Sequence, residues 1–310
     1  MTHQAETAVR PAPGRPSSAR AWSRALELTA PIVRRPDRIL PDGHRGARRD
    51  VRRRAGPLSD GECLTYRALA ERSTRYARWA IEQGLAKGDA VCLLMPNRPE
   101  YMAIWLGITR VGGVVALLNT NLAGPSLAHC INIAAPRHLI VAAELVDRVT
   151  AVRQDLAGAP TIWVHGAGHD QFPRIDDDIE RYRRRHAGTE AERRPVTIDD
   201  RALYIYTSGT TGLPKAANVS HARVMQWSHW FAGLMDVRSS DRMLQLPADV
   251  SQRRRRARDR RGSGRRRLGG DPRTILCAPV LERRRPLGLH AVPVHRRAVP
   301  VPAAYRAAPA

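Results

Sequence analysis

The residues most capable of chemistry lie in one short stretch, Tyr204 to Lys215, where an apolar segment runs into a loop rich in hydroxyls and glycine. Gly209 and Gly212 allow the backbone to bend and approach a ligand closely. Successive N–H groups of such a loop form a concave site for anions, and Lys215 adds a positive charge. Hydroxyl donors come from Thr207, Ser208, Thr210 and Thr211. The stretch therefore predicts a polyphosphate-binding loop fed by a strand.

This loop differs from the Walker A motif, which requires glycine directly before its lysine and serine or threonine after it. Here Pro214 precedes Lys215 and Ala216 follows it. The alternative is an ordinary surface turn. A nine-residue match in a strand–loop context is far rarer than a short motif hit, which favours the phosphate loop.

The sequence Thr207-Ser-Gly-Thr-Thr-Gly-Leu-Pro-Lys215 resembles the signature of the adenylate-forming (AMP-binding) superfamily. The resemblance implies that Thr207 to Gly212 cradle the β- and γ-phosphates of ATP, that Lys215 steadies the loop or a phosphate, and that Tyr206 supports the loop from the strand end. It also implies ATP, Mg²⁺ and coenzyme A as co-substrates. We assign no catalytic residue and no metal ligand in the chain.

Three further segments resemble the branch of fatty acid transport proteins and very-long-chain acyl-CoA synthetases. They are Asn97–Gly107, Leu117–Leu122 and Leu127-Ala-His-Cys130. The likeness runs from about Ala21 to Met243. The phosphate loop is specific for the superfamily, whereas these segments are less specific for the branch.

The chain between these motifs alternates helical and strand patterns, and continuous apolar runs indicate strands covered on both faces. This alternation predicts an α/β fold with a largely parallel sheet and helices on both faces. By resemblance, it is the N-terminal part of the adenylate-forming enzyme fold, incomplete and followed by a disordered basic tail.

Strands are expected at Ala90–Met95, Val114–Leu118, His138–Val141, Thr161–Val164 and Leu203–Tyr206. Helices are expected at Ala21–Val33, Thr65–Gln83, Pro99–Val111, from a cap at Ser126 to Ile133, at Glu144–Leu156 and after Ser220, where Val224, Trp227, Trp230 and Phe231 are assigned to the core. The charged stretch Asp170–Asp200 is expected to be a surface excursion.

The net charge of +23 is distributed unevenly along the 310 residues. Residues 58–243 carry only +2, whereas residues 1–57 carry +8 and residues 244–310 carry +13.

The four cysteines, Cys63, Cys92, Cys130 and Cys277, show no metal-binding or redox spacing. With no apolar leader and no apolar run long enough for a membrane span, we expect a cytoplasmic protein. Its amphipathic helix near Ala21 packs on the main domain or touches the inner membrane surface.

The differences in charge and composition along the chain divide it into four segments. Residues 1–19 form a disordered lead, 20–57 a partly anomalous helical segment, 58–243 a partial AMP-binding domain, and 244–310 a disordered tail rich in Arg and Pro. Three interpretations of the tail are open. It could bind nucleic acid, it could be solvated without a role, or its codons could be translated in a shifted reading frame. It lacks the aromatic interleaving that single-strand binding favours, so we expect no specific nucleic-acid partner.

We favour the interpretation that the reading frame is shifted. Residues 244–252 can be encoded so that loss of one base after Met243 yields Tyr-Asn-Cys-Leu-Pro-Met-Tyr-His-Ser, which resembles the family at this point. In that frame, codons for residues 263–303 can also encode a continuous sequence that resembles the family and contains no stop codon. Codons for Asp42–Ala55, read one base out of frame, can encode an amphipathic helix.

The function implied by the resemblance is ATP-dependent ligation of a long- or very-long-chain fatty acid to coenzyme A. The alternatives are another carboxylate-adenylating enzyme, such as an aryl or bile acid–CoA ligase, or a non-catalytic basic nucleic-acid-binding protein. The family's downstream aromatic–Gly–x–Thr–Glu motif, ribose-binding aspartate, hinge and catalytic lysine do not occur in the sequence as written. We therefore expect no ligase activity from this polypeptide.

Resequencing the gene across the codons for Pro41–Leu58 and from Met243 onward tests the frame hypothesis. We expect one spurious base after Met243 and a family-like continuation beyond the present stop. Unchanged bases with no out-of-frame similarity would reject the hypothesis and make the basic tail a property of the protein.

Overall fold

The computed structural model describes residues 17–42, 55–59, 62–182, 195–207 and 213–237. The predictions for residues 1–16, for the loop residues Ser208–Gly212 and for the tail from 244 onward lie outside these residues. Within them, the predicted α/β fold with a mostly parallel sheet is confirmed.

Eight α-helices and eight strands occur in the described part of the chain. The helices are α1 (Ser18–Thr29), α2 (Pro31–Arg34), α3 (Tyr66–Glu82), α4 (Pro99–Arg110), α5 (Gly124–Ala134), α6 (Val146–Thr150), α7 (Ile175–Asp178) and α8 (His221–Leu234). The strands are β1 (Ala55–Ser59), β2 (Glu62–Thr65), β3 (Ala90–Leu94), β4 (Val114–Leu117), β5 (His138–Ala142), β6 (Thr161–His165), β7 (Arg201–Thr207) and β8 (Lys215–Ser220).

Six of the described strands form one sheet in the order β6-β5-β3-β4-β7-β8, and β1 and β2 pair separately. The pairs from β6 to β7 are all parallel, and β8 is antiparallel to β7. All five residues of β3 are buried, as its continuous apolar run predicted, and all five residues of β5 are buried as well, including the polar His138.

The direction of the strand connections reverses at β3. The chain passes from β3 to β4 on one side and then returns to place β5 on the other side of β3. Because such crossovers are almost always right-handed, α4 and α5 cover opposite faces of the sheet. Helix α3 packs on α4, whereas α5 contacts β3 and β8. The carboxyl ends of the parallel strands therefore share one edge, where ligands bind in sheets of this kind.

The N-terminal helix packs on α8, which confirms the expected contact with the main domain. Ala25 is fully buried, and the ring centroids of Trp22 and Trp230 are 5.1 Å apart in an edge-to-face arrangement. The Arg24 Nε donates a hydrogen bond of 3.2 Å to the carbonyl of Gly233. In the described part of the chain, no helix has the length and apolar character needed to cross a bilayer.

The expected burial of the α8 aromatic residues is wrong for two of them. Trp227 is 51% exposed and Phe231 is 39% exposed. The helix instead buries His221, Met225 and Gly233, because its contacts with α1 and the sheet fall on that side.

The predicted continuous helix Glu144–Leu156 is also wrong. The segment divides into a 3₁₀ turn at Ala143–Leu145, the short α6 and a second 3₁₀ turn at Arg153–Asp155. Asn132 of α5 donates to the carbonyl of Asp155 at 2.9 Å and accepts from the N–H of Ala157 at 2.8 Å. These tertiary hydrogen bonds fix the backbone where a longer helix would continue.

Two smaller expectations need correction. Helix α5 begins at Gly124, not at a Ser126 cap, because Pro125 suits the first turn of a helix. The charged stretch from Asp170 is not wholly a surface excursion. Its residues Ile175, Ile179 and Tyr182 are buried, since their spacing places them on one helical face.

The close contact between α1 and α8 predicts the effect of Gly233→Ala. A Cβ atom at Gly233 would lie 2.4 Å from the Cα of Ala25 and 2.6 Å from its backbone nitrogen, so the helices must separate. We expect the free energy of unfolding to fall by about 1–3 kcal/mol in urea titrations followed by circular dichroism.

The exposed α8 residue Gln226, changed to Ala, serves as the control and should alter stability by less than about 0.5 kcal/mol. An unchanged or more stable Gly233→Ala variant would show that α1 does not pack here, since alanine otherwise favours a helix.

Candidate functional site

Strands β7 and β8 form a hairpin whose connection is the predicted phosphate loop. Their register pairs Tyr206 with Ala216 and, at the end of the ladder next to the loop, Thr207 with Lys215. Both Thr207 and Lys215 are exposed. The two described ends of the candidate loop are thus a hydroxyl and an ammonium group facing each other across the hairpin.

The hairpin continues the parallel sheet, and this fixes where the loop lies. Val115 pairs with Leu203, Ala116 with Tyr204 and Leu117 with Ile205 in the parallel register of β4 and β7. The carboxyl end of β7 therefore lies at the same edge as those of β3, β4, β5 and β6.

Helix α5 holds the hairpin on both sides of the loop. The Tyr206 hydroxyl donates a hydrogen bond of 2.5 Å to the carbonyl of Cys130. The Nε2 of the neighbouring His129 lies 3.0 Å from the carbonyl oxygen of Pro214. Burial, together with the nearby Cys92, Cys130 and Tyr204, raises the pKa of Tyr206, so its hydroxyl remains a donor at neutral pH.

The loop after β4 lies beside the hairpin and has its own support. Asn119 accepts a hydrogen bond of 2.9 Å from the backbone N–H of Asn121, which closes a local turn. Arg148 donates to the carbonyl of Thr120 and, at 3.4 Å, to that of Leu122. One guanidinium group thus fixes the Asn-Thr-Asn segment that resembles the transport-protein branch.

An ion pair lies where the strand order reverses. Arg98 follows β3, Glu144 follows β5, and their side chains form an ion pair. The buried Glu100 lies in the first turn of α4, accepts from the Tyr76 hydroxyl at 2.5 Å and pairs with Arg72 at 2.5 Å. These charges anchor the start of α4 and need no ligand to be neutralised.

A surface depression of about 440 Å³ lies elsewhere, and it has no predicted site residue in its lining. The lining residues are His169, Asp170, Phe172, Arg174, Asp177, Asp178 and Arg181. They follow β6, at the opposite end of the sheet from β8, and Arg174 already pairs with Asp176 and Asp177. Their geometry gives no support for nucleotide binding at this position.

The structure places three of the predicted site residues and leaves five outside its description. Tyr206, Thr207 and Lys215 lie at the base of the loop, whereas Ser208–Gly212 are not among the described residues, so phosphate binding stays a prediction. Sequence reasoning missed β8 and the part played by His129. The only available signal for His129 was its presence in the Leu127-Ala-His-Cys130 segment.

Metal ligation by the chain itself has no support in the part that the structure describes. Among those residues, no group of three or more His, Cys, Asp or Glu side chains could hold a metal ion. Cys92 and Cys130 are buried free thiols, and burial raises the pKa of both.

These features define an α/β domain that presents a hydroxyl- and glycine-rich hairpin at the carboxyl edge of a parallel sheet. A family model described as "AMP-binding enzyme" matches residues 44–249, about two thirds of the chain. The chain therefore belongs to the AMP-binding enzyme family.

Known relatives are similar over the same part of the chain. Long-chain fatty acid transport protein 6 of Mus musculus is 35% identical over 185 residues, which cover 57% of this chain and 29% of that protein. Long-chain-fatty-acid–CoA ligase FadD13 of Mycobacterium tuberculosis is 31% identical over 183 residues, covering 58% and 34%. The chain thus spans about a third of the length of these relatives.

A solved structure agrees with the fold. The anthranilate CoA ligase AuaEII, solved in complex with anthranoyl-AMP, aligns with a TM-score of 0.54 at 22% identity, covering 60% of this chain and 35% of that one.

A buried histidine near the start of α8 predicts acid sensitivity. Burial lowers the pKa of His221 to about 4, although the charge of Asp200 and a hydrogen bond to the Thr109 backbone act in the other direction. The unfolded chain binds a proton near pH 6.5, so stability is full above that pH and falls as the pH drops toward 4. We expect His221→Asn, which cannot titrate, to remove about 2 kcal/mol of this loss between pH 7 and 4.5 in urea titrations.

The control for this comparison is His169→Asn, in a partly exposed loop position. Its pH dependence should follow that of the wild type. If His221→Asn also keeps the full loss at pH 4.5, protonation of His221 does not limit stability in acid.

Proposed function

We propose that this chain carries the ATP-phosphate-binding part of an acyl-CoA ligase for long- or very-long-chain fatty acids. The observation that carries the proposal is the β7–β8 hairpin. Its loop end brings Thr207 and Lys215 together, and the intervening residues are rich in glycine and hydroxyls.

Several properties of the hairpin suit a polyphosphate. Lys215 is exposed and forms no ion pair with any residue that the structure describes, so its charge is available to an anion. The loop follows the carboxyl end of a strand in a largely parallel sheet, where backbone N–H groups commonly bind phosphates. Tyr206 supports the loop by its bond to the Cys130 carbonyl.

The reaction in which this loop serves has two steps. A carboxylate oxygen attacks the α-phosphorus of Mg-ATP, and the bond to the leaving pyrophosphate breaks. The thiolate of coenzyme A then attacks the acyl carbon and displaces AMP. Thr207–Gly212 and Lys215 would bind the β- and γ-phosphates and steady the charge that builds on the pyrophosphate. Mg²⁺ would arrive bound to the ATP phosphates.

The choice of acid is supported by the relatives' names, which specify long-chain fatty acids. Aryl and bile acids are the alternatives within adenylate-forming enzymes. A fatty acid substrate would also agree with the proposed cytoplasmic location and contact with the inner membrane surface.

The basic residues of the tail support a second candidate, electrostatic binding of nucleic acid. Residues 244–310 carry +13, and a cationic segment binds phosphate backbones without sequence preference. Duplex binding that weakens steeply with salt would favour this function, and binding of ATP through Lys215 would not follow from it.

Calorimetric titration of the purified chain with Mg-ATP and with pyrophosphate tests the proposed phosphate contacts. We expect Lys215→Ala to weaken binding about 10- to 100-fold, because a charge-assisted hydrogen bond contributes about 1.5–3 kcal/mol. Thr207→Val should weaken it by less than tenfold, because only a neutral donor is lost.

The matched control is Arg67→Ala. Arg67 is an exposed cation that pairs with Glu71 on α3, and its loss should leave both affinities unchanged. Equal affinity in Lys215→Ala and wild type would reject the hairpin as the phosphate site.

Pyrophosphate exchange with long-chain fatty acids is the separate test of turnover. We expect no exchange from the chain as written, and a clear signal would refute its inactivity.

A further inference from the structure

The phosphate loop is held from outside the hairpin at two points, and adjacent residues of α5 make both contacts. Cys130 accepts the Tyr206 hydroxyl before the loop, and His129 reaches the Pro214 carbonyl after it. The loop residues 208–212 lie between these two anchored positions. A single helix turn thus sets the separation of the two ends of the loop.

The contact at Pro214 restricts a backbone rotation directly before Lys215. The proline ring fixes its φ angle, but ψ remains a soft dihedral. That angle sets the direction of the Pro214 carbonyl and of the peptide group leading into Lys215. A hydrogen bond of 3.0 Å from the His129 ring to this carbonyl therefore fixes the remaining rotation.

The chemistry of the two atoms assigns the direction of this bond. A carbonyl oxygen only accepts, so the Nε2 of His129 must carry the hydrogen. Both the neutral Nε2–H tautomer and the imidazolium can donate it. The contact consequently requires a donor at the Nε2 position and no change in protonation.

Lys215 directly follows this fixed peptide group and begins β8, where it faces Thr207. A shift in the Pro214 carbonyl would turn the lysine away from the loop end of the hairpin. Because a charged contact to phosphate depends on placement within a few tenths of an ångström, a small rotation here would cost affinity.

We propose that His129 is a positioning residue for Lys215: it fixes the Pro214 peptide group and so aims Lys215 at the phosphates. This inference rests on the proposed ATP-binding function of the hairpin. His129 touches neither substrate nor reacting atoms and has no catalytic role.

Three substitutions at His129 separate the donor from the bulk of the ring. His129→Ala removes the donor, His129→Gln keeps an N–H near the Nε2 position, and His129→Asn keeps one only near Nδ1. Ile133→Ala, at an exposed position of the same helix, controls for changes in α5 itself.

The first measurement is hydrogen exchange of peptides spanning residues 203–217 in the nucleotide-free chain. We expect exchange about three- to tenfold faster in His129→Ala and His129→Asn, and wild-type rates in His129→Gln and Ile133→Ala. Peptides from β3 and α3 should be unchanged in all variants. Wild-type rates in His129→Ala, or fast exchange in His129→Gln, would overturn the proposal.

The second measurement is the affinity for Mg-ATP and pyrophosphate, with the unfolding midpoint determined in parallel. His129→Ala and His129→Asn should bind both about three- to tenfold more weakly at a nearly unchanged midpoint, and His129→Gln should restore binding. Equal loss in His129→Gln would reduce His129 to a packing residue and overturn the positioning role.

The two measurements also separate this inference from the proposed function. If the wild-type chain binds neither Mg-ATP nor pyrophosphate, the proposed function fails, and the exchange comparison still decides whether His129 holds the loop.

Discussion

The parallel pairing of β4 with β7 is the constraint on which the candidate site depends. Between these strands the chain makes β5 and β6 on the far side of β3, and it then returns to lie beside β4. Closing such a long connection costs entropy that only buried contacts can offset. Leu203 and Val219 supply them by joining the core that surrounds β3 and β4. Without this pairing the hairpin would have no fixed edge, and neither Tyr206 nor Pro214 would reach α5.

The sequence predicts the central sheet well because local chemistry and burial agree there. A strand covered on both faces needs an uninterrupted apolar run, and β3 shows that pattern over its five residues and β5 over the four that follow His138. Helix α3 has a clear apolar face and a Thr65 cap that accepts from the N–H of Ala68, so its start at Tyr66 is readable from the sequence.

The failures occur where distant contacts decide the local structure. Strand β8 has small or polar residues at Ala216, Ala217 and Asn218, and its conformation comes from pairing with β7. The break after α6 depends on Asn132, which belongs to another helix. The helical spacing of Trp227 and Phe231 indicates a shared face but cannot tell which face α1 and the sheet will cover.

The candidate site divides in the same way. Thr207 and Lys215 could be predicted as flanks of a phosphate loop from the order of glycine and hydroxyl residues, and the structure pairs them across the hairpin, while phosphate binding stays a prediction. His129 could not, because a histidine on a helix gives no sign of a carbonyl 85 residues further along the chain. A side chain that holds a loop from outside is invisible to any pattern within that loop.

The segments that resemble the transport-protein branch prove to be supports of the hairpin and its edge. Arg98 pairs with Glu144 at the reversal of the sheet, Thr120 is held by Arg148, and His129 and Cys130 hold the two ends of the loop. All four contacts fix backbone or helix ends. Under the proposed function, contacts that shape the loop would serve ATP in every adenylating reaction and would not touch the acid. Under that proposal, these four contacts bear on how ATP is held, and selection among carboxylates would come from groups that touch the acyl chain.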